Sequence, residues 1–126
     1  MILSTILKGN GVFCALCAGI CLAAPDWVTL HCALPGPLWV LGLGGMLASY
    51  VPLLLLAAAR PQLWLVKTII SLDWAYVAIA TFFLVTHWTA ADAIGIMVIL
   101  VSTSVVALFA WLQMRGLALR QKEAQA

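Results

Sequence analysis

Residues 68–85 read TIISLDWAYVAIATFFLV, an apolar stretch that contains one carboxylate, Asp73. At about 1.5 Å of rise per residue, a helix of this length spans the roughly 30 Å hydrocarbon core of a bilayer. A central Asp costs about 2.5–3.5 kcal/mol on insertion scales, whereas each large apolar residue returns about 0.3–0.6 kcal/mol. The stretch therefore predicts a membrane-spanning helix whose Asp73 faces other helices, where it is paired or protonated, rather than lipid.

The whole chain has the composition of a membrane protein. Of its 126 residues, 66% are hydrophobic and only 8% are charged, whereas a soluble domain is about half apolar and about a quarter charged. Its net charge of +2 and the lack of a basic stripe argue against nucleic acid as a partner. The lipid bilayer is the partner that this composition predicts.

Four apolar segments, separated by short polar breaks, predict an all-α integral membrane protein. The predicted helices cover about 4–24, 38–59, 63–85 and 93–114, within a single transmembrane domain over 1–126. Residues 25–37, which begin and end with proline, are expected to form a loop, and 115–126 a polar cytoplasmic tail. Short connections favour sequence neighbours packing side by side, so an antiparallel four-helix bundle is expected.

The basic residues are distributed unevenly between the two predicted sides. All six lie at the N-terminus, in the 60–67 turn or in the tail: Lys8, Arg60, Lys67, Arg115, Arg120 and Lys122. The two remaining loops, 25–37 and 86–92, contain none. The positive-inside rule then places both termini in the cytoplasm.

Asp73 is the centre of a predicted polar site. Counted from the basic residues at about 1.5 Å per residue, several polar side chains fall at a similar depth. The predicted ligand or proton site comprises Asp73, Tyr76, Tyr50, Ser104 and Asn10. Three interpretations remain open: hydrogen-bonded helix-to-helix contact, a functional proton or ligand site, or a helix shifted until Asp73 reaches the interface.

The first helix carries Cys14 and Cys17 in a C-x-x-C arrangement, followed by Cys21. Such a pair can be redox-active or bind a soft metal. These cysteines also follow helical spacing inside an apolar run, where Cys commonly serves as a small buried residue. Packing is the first interpretation, a metal site at Cys14 and Cys17 is a weaker alternative, and no cofactor is predicted. His31 and His87 are interpreted as interfacial residues.

The pattern of Asn10, Phe13, Gly19 and Pro25, then a glycine-rich second helix and the pair Asp73-Trp74, resembles small bacterial four-helix inner-membrane proteins. The resemblance extends over nearly the whole chain. It implies the same fold and an inner-membrane setting.

The sequence contains no Ser-His-Asp set, phosphate-binding loop or paired-carboxylate motif. The first interpretation is therefore an accessory or interaction protein that binds a membrane partner or an apolar ligand, as a homo-oligomer or within a complex. The second is a proton-coupled small-solute transporter that uses Asp73. The third is a membrane enzyme acting on a lipid-like substrate, with Asp73 and Tyr76 as acid and base.

Overall fold

The computed structural model describes residues 2–32, 34–60 and 62–125, and helices dominate these ranges. The helices are α1 (Ile2–Ala23), α2 (Pro25–Cys32), α3 (Pro37–Ala59), α4 (Leu63–Thr86) and α5 (Ala93–Gln125). Four of them, α1, α3, α4 and α5, are long and apolar enough to cross a membrane. The prediction of an all-α, multi-pass helical bundle is confirmed.

The stretch predicted as the 25–37 loop contains a helix, α2. Pro25 ends α1 because it has no amide hydrogen for the helical hydrogen bond, yet the same property is harmless in the first turn of the next helix. The Thr29 hydroxyl donates to the Pro25 carbonyl at 2.7 Å and closes that turn. Pro25 is therefore the start of α2 as well as the end of α1.

The last helix is longer than the predicted 93–114. α5 continues to Gln125, through most of the segment predicted as a polar tail. Leu, Ala, Arg, Gln, Lys and Glu in this segment favour helix whether or not lipid surrounds them. Gly116 also packs against Leu3 of α1, so part of the extension belongs to the bundle.

The four long helices form an antiparallel ring in chain order. At one end of the α1–α3 pair, the Ser4 hydroxyl donates to the Ala58 carbonyl at 2.8 Å. At the other end, a Cβ added to Gly44 would lie 3.0 Å from the Cys21 Cβ. α5 packs against both α1 and α4, whereas α3 and α4 make the least extensive contact.

An apolar core fills the bundle where α3 turns into α4. Its buried members come from all four long helices: Leu3, Leu7, Cys14, Leu54, Ala57, Ala58, Leu65, Val66, Ile69 and Leu117. Tyr50 packs against this core. Polar side chains at this level are therefore enclosed by hydrocarbon rather than by water.

Candidate functional site: the Asp73 cluster

The Asp73 carboxylate is held by side chains from two other helices. It is only 4% exposed. The Asn10 amide of α1 donates its Nδ2–H to Asp73 Oδ2 at 2.9 Å, and the Tyr50 hydroxyl of α3 donates to Oδ1 at 3.1 Å. Each carboxylate oxygen thus has a neutral donor, which is how a buried acid is normally accommodated.

Both donors make a second contact. Asn10 lies on the buried face of α1, one helical turn before Cys14, whose thiol lies 3.6 Å from Asn10 Oδ1. The Tyr50 hydroxyl lies 3.2 Å from the carbonyl oxygen of Ile69 as well as close to Asp73. Tyr50 therefore has an alternative acceptor one helical turn before the carboxylate.

Gln113 of α5 completes the group and was not predicted from the sequence. Its side chain is fully buried and interacts with Asp73, yet neither Nε2 nor Oε1 makes a hydrogen bond of good geometry. Leaving a buried polar group unsatisfied costs about 1–3 kcal/mol. We call Asn10, Tyr50, Asp73 and Gln113 the Asp73 cluster; it contains one residue from each long helix.

No lysine, arginine or histidine in the described part of the chain forms an ion pair with Asp73. The ion pair found there joins His31 to Asp92 instead. A buried carboxylate without a cationic partner is stabilised by hydrogen bonds, by a proton or by a bound cation. In the Asp73 cluster the hydrogen bonds come from Asn10 and Tyr50.

The structure separates two predicted site residues from the cluster. Tyr76 forms a hydrogen bond with Ser102 at 3.3 Å, and Ser104 lies on the exposed side of α5. Two residues along a helix of 3.6 residues per turn change the direction of a side chain by about 200°. Ser102, two residues away, therefore faces Tyr76, and the α5 member of the Asp73 cluster is Gln113, nine residues beyond Ser104.

Asp92 lies at the opposite end of α4 and α5 and has different surroundings. Its Oδ2 lies 2.5 Å from His31 Nδ1, and its Oδ1 accepts the Gly95 amide hydrogen at 2.9 Å. The Gly95 amide and then His31 hold the pKa of the Asp92 carboxyl below its usual range. Asp92 thus caps the start of α5 and attaches α2 to it.

Cys14, Cys21 and Cys32 pack in the apolar core, and His31 and His87 pack against Trp27 and Phe83. Cys14 and Cys21 are buried, and all four cysteines are free thiols. Among the described residues, no group of three or more His, Cys, Asp or Glu side chains is arranged to hold a metal ion. His87 stacks on Phe83 with 4.2 Å between ring centroids.

Comparisons with protein-family models, with curated proteins and with solved structures find no match to this chain. A function must therefore be argued from the polar sites of the chain itself, and the two described sites that contain a carboxylate are the Asp73 cluster and the His31–Asp92 pair. The His31–Asp92 pair is accounted for by helix capping. The Asp73 cluster contains a buried acid and a buried amide that makes no hydrogen bond of good geometry.

Proposed function

We propose that the chain is a small secondary transporter of the bacterial inner membrane, with both termini cytoplasmic, in which Asp73 takes up and releases the coupling proton. The observation that carries this proposal is the Asp73 cluster itself. A buried carboxylate is surrounded by neutral side chains from each of the other long helices. This arrangement favours the proton-coupled transporter over the accessory protein.

Protonation of Asp73 changes what the cluster can bond. A carboxylate accepts from both Asn10 and Tyr50, whereas a carboxylic acid must donate one hydrogen and accepts less strongly. Tyr50 can then bond the Ile69 carbonyl, which already lies 3.2 Å away. Gln113 Oε1, which has no donor, can accept the acid hydrogen. One proton thus alters contacts on three helices, which is the coupling that a transporter needs.

The charge pattern supports access from the cytoplasm. Asp73 lies six residues beyond Lys67, which is about 9 Å along α4. The basic residues at this end, Lys67 and Arg115 among them, favour a cytoplasmic location. Intramembrane acids that face a bundle interior commonly mark ion or proton pathways. Reporter fusions in the 86–92 loop and at the C-terminus should fall on opposite sides of the membrane.

Proton exchange at Asp73 is the test. The purified protein in lipid nanodiscs is titrated across the neutral range while the carboxylic-acid carbonyl band is followed by infrared spectroscopy. The native chain and Asp92→Asn, the matched control at the exposed carboxylate, should both show a band that grows on acidification. Asp73→Asn should fold and lack it. If the native spectrum shows no protonation that depends on Asp73, the transporter proposal fails.

An accessory role is the second candidate and rests on a different surface. Ala15, Gly19 and Ala23 lie on the exposed side of α1, and a Cβ added to Gly19 would meet nothing within 4 Å. Small residues spaced in this way allow another helix to approach closely. Gly19→Leu should then weaken self-association or complex formation, measured by crosslinking in membranes, without altering the infrared titration.

The third interpretation, a membrane enzyme, is the least supported. It requires Asp73 and Tyr76 to act as an acid and base pair. Tyr76 instead bonds Ser102, and the described hydrogen bonds of Asp73 come from Asn10 and Tyr50.

A further inference from the structure

We infer that Cys14 is a positioning residue of the Asp73 cluster, whose thiol fixes the orientation of the Asn10 amide so that this amide donates to Asp73. The inference rests on the proposed function, because it concerns how readily the same carboxylate releases its proton. It gives the first cysteine of the C-x-x-C arrangement a role beyond packing.

Two consecutive side-chain contacts join Cys14 to Asp73. The Cys14 thiol donates to Asn10 Oδ1 over 3.6 Å, and Asn10 Nδ2 donates to Asp73 Oδ2 at 2.9 Å. A thiol is a weak donor, and its contacts are long because sulfur is large. Cys14, Asn10 and Asp73 are only 4%, 0% and 4% exposed, so water does not compete for either contact.

The position of Cys14 in α1 produces the contact with Asn10. Cys14 follows Asn10 by four residues, and side chains with this spacing lie on one face of a helix. Both residues belong to the buried face of α1. Long side chains on a helix lean toward its N-terminus, so the Cys14 thiol extends back over the Asn10 amide.

The Asn10 amide has a donor end and an acceptor end, and half a turn exchanges them. In the observed orientation its NH₂ group faces the Asp73 carboxylate and its oxygen faces the Cys14 thiol. In the reversed orientation the oxygen would face Asp73, and the NH₂ group would face sulfur, a weak acceptor. An ionised Asp73 excludes this reversal, because two acceptor oxygens would then face each other away from water.

Protonation of Asp73 removes that constraint. A carboxylic acid can donate its hydrogen to an amide oxygen, so the reversed amide becomes favourable on the Asp73 side. The Cys14 thiol opposes the reversal, because it would lose its acceptor. With the thiol present, Asn10 continues to offer a hydrogen to Asp73, and a hydrogen bond to the charged form favours that form. Cys14 therefore makes the proton easier to release.

The other neighbours of Asp73 do not set the orientation of this amide. From α3 the titratable group facing Asp73 is Tyr50, which donates to the other carboxylate oxygen. From α5 the facing group is the neutral Gln113 side chain. The described hydrogen bonds of the Asn10 side chain join it to Asp73 and Cys14, so these two groups decide its orientation.

The orientation of the amide can be observed directly. Asn10 is the only asparagine of the sequence, so isotope-labelled asparagine gives a single side-chain amide in NMR spectra of the protein in nanodiscs. In the native chain its two proton resonances should change little when Asp73 is protonated. In Cys14→Ala they should move much further on acidification, because the amide reverses. Equal movement in both proteins would contradict the inference.

Cys14→Ala and Cys14→Ser form the decisive pair, because they are close in volume and differ by one hydroxyl donor. Cys14→Ala should move the infrared titration of Asp73 by about 0.5 pH unit to higher pH, the effect of one weak hydrogen bond. Cys14→Ser should titrate as the native chain does.

Cys21→Ala is the control for the loss of a buried thiol. Cys21 lies about two turns further along α1, is similarly buried at 7% exposure, and packs with Val28 and Val40. Its replacement should leave the titration of Asp73 unchanged.

The S–H stretching band of Cys14 is a second infrared readout. Its contribution is the difference between the spectra of the native chain and Cys14→Ala. The contact with Asn10 predicts the lowered frequency of a hydrogen-bonded thiol. A band at the frequency of a free thiol would overturn the inference, whatever Asp73 does.

The outcomes separate this inference from the proposed function. If Asp73 titrates equally in the native chain and in Cys14→Ala, the inference fails and the transporter proposal stands. Equal shifts in Cys14→Ala and Cys14→Ser would assign the effect to lost volume, which also refutes it. If Asp73 does not titrate, the transporter proposal fails, and the S–H band still decides whether the thiol holds the amide.

Discussion

Asp73 and Asp92 are the carboxylates with side-chain partners in the described part of the chain, and they are held in opposite ways. Asp73 is 4% exposed and accepts hydrogen bonds from the neutral side chains of Asn10 and Tyr50. The Asp92 side chain is 48% exposed and pairs with His31 and with the backbone amide of Gly95. One carboxylate is buried and accepts from neutral donors, whereas the other is exposed and is held by a helix end and the His31 side chain.

The difference shows at which carboxylate a change of charge affects the contacts between helices. Water can replace any partner that Asp92 loses, so its contacts are individually weak. Asp73 is buried away from water, so another buried group must compensate every change in its charge. A proton at Asp73 therefore changes contacts between the long helices, whereas a proton at Asp92 changes the cap of α5 and the attachment of α2.

The largest expected effect in this comparison is that of Asp73→Ala. Asn10 Nδ2 loses its acceptor, and a buried donor without a partner costs about 1–3 kcal/mol. The Tyr50 hydroxyl loses its bond to the carboxylate and keeps only the Ile69 carbonyl. We expect the free energy of unfolding in micelles to fall by about 3 kcal/mol. Asp73→Asn keeps an acceptor and should lose less. Equal losses for Asp73→Ala and Asp92→Ala would refute the contrast between the two sites.

A backbone change should break the Asp92 site. A Cβ added to Gly95 would overlap the carbonyl of His31, so Gly95→Ala must push α2 away from α5. Overpacking of this kind costs about 1–3 kcal/mol, and we expect about 2 kcal/mol by thermal or denaturant unfolding. Gly19→Ala is the control, because its Cβ meets nothing within 4 Å. A helix gains up to about 1 kcal/mol from that exchange.

Replacing either tyrosine tests the same comparison, with smaller expected losses of stability. Tyr50→Phe removes a donor to a buried carboxylate, and we expect a loss of about 1 kcal/mol. Tyr76→Phe removes one bond to Ser102, and such bonds between transmembrane helices average about 0.6 kcal/mol. Only Tyr50→Phe should also shift the infrared titration of Asp73. Identical infrared curves for the two variants would remove Tyr50 from the site.

The smallest effect concerns acidification at Asp92. Because its pKa in the folded chain is lowered by the Gly95 amide and His31, the stabilisation is present above the ordinary Asp range. It is lost as the pH falls through the lowered value. The Gly95 amide resonance in NMR spectra should titrate with a midpoint below that of a free Asp, and Asp92→Asn should abolish this transition. A midpoint at the ordinary value would mean that the cap is not formed.

Most of the fold could be predicted because the length of an apolar segment is a local property of the sequence. Segments of about twenty apolar residues form helices in lipid regardless of what they pack against. The predicted and observed helices differ at α2 and at the extension of α5, where polar residues were interpreted as the end of a helix. Pro25 and the residues after Arg115 end the apolar run, but their backbones remain helical.

The candidate site was predictable only in part. Asp73 is recognisable in the sequence as a carboxylate in an apolar run. Asn10 and Tyr50 could be predicted from their depth in the membrane, because their helices face Asp73. Gln113 was missed, although an amide two residues before Arg115 in an otherwise apolar segment is a signal of the same kind. Ser104 was chosen by depth without regard to the rotation of α5.

The sequence by itself determined the helices, their order and the presence of a buried acid, since these depend on hydrophobicity and chain length. Tertiary structure alone decided which polar groups meet. Asn10, Tyr50, Asp73 and Gln113 come from four helices, and whether they converge depends on the rotation of each helix about its axis. That rotation is set by packing of the whole bundle, which includes contacts as distant as Gly116 against Leu3.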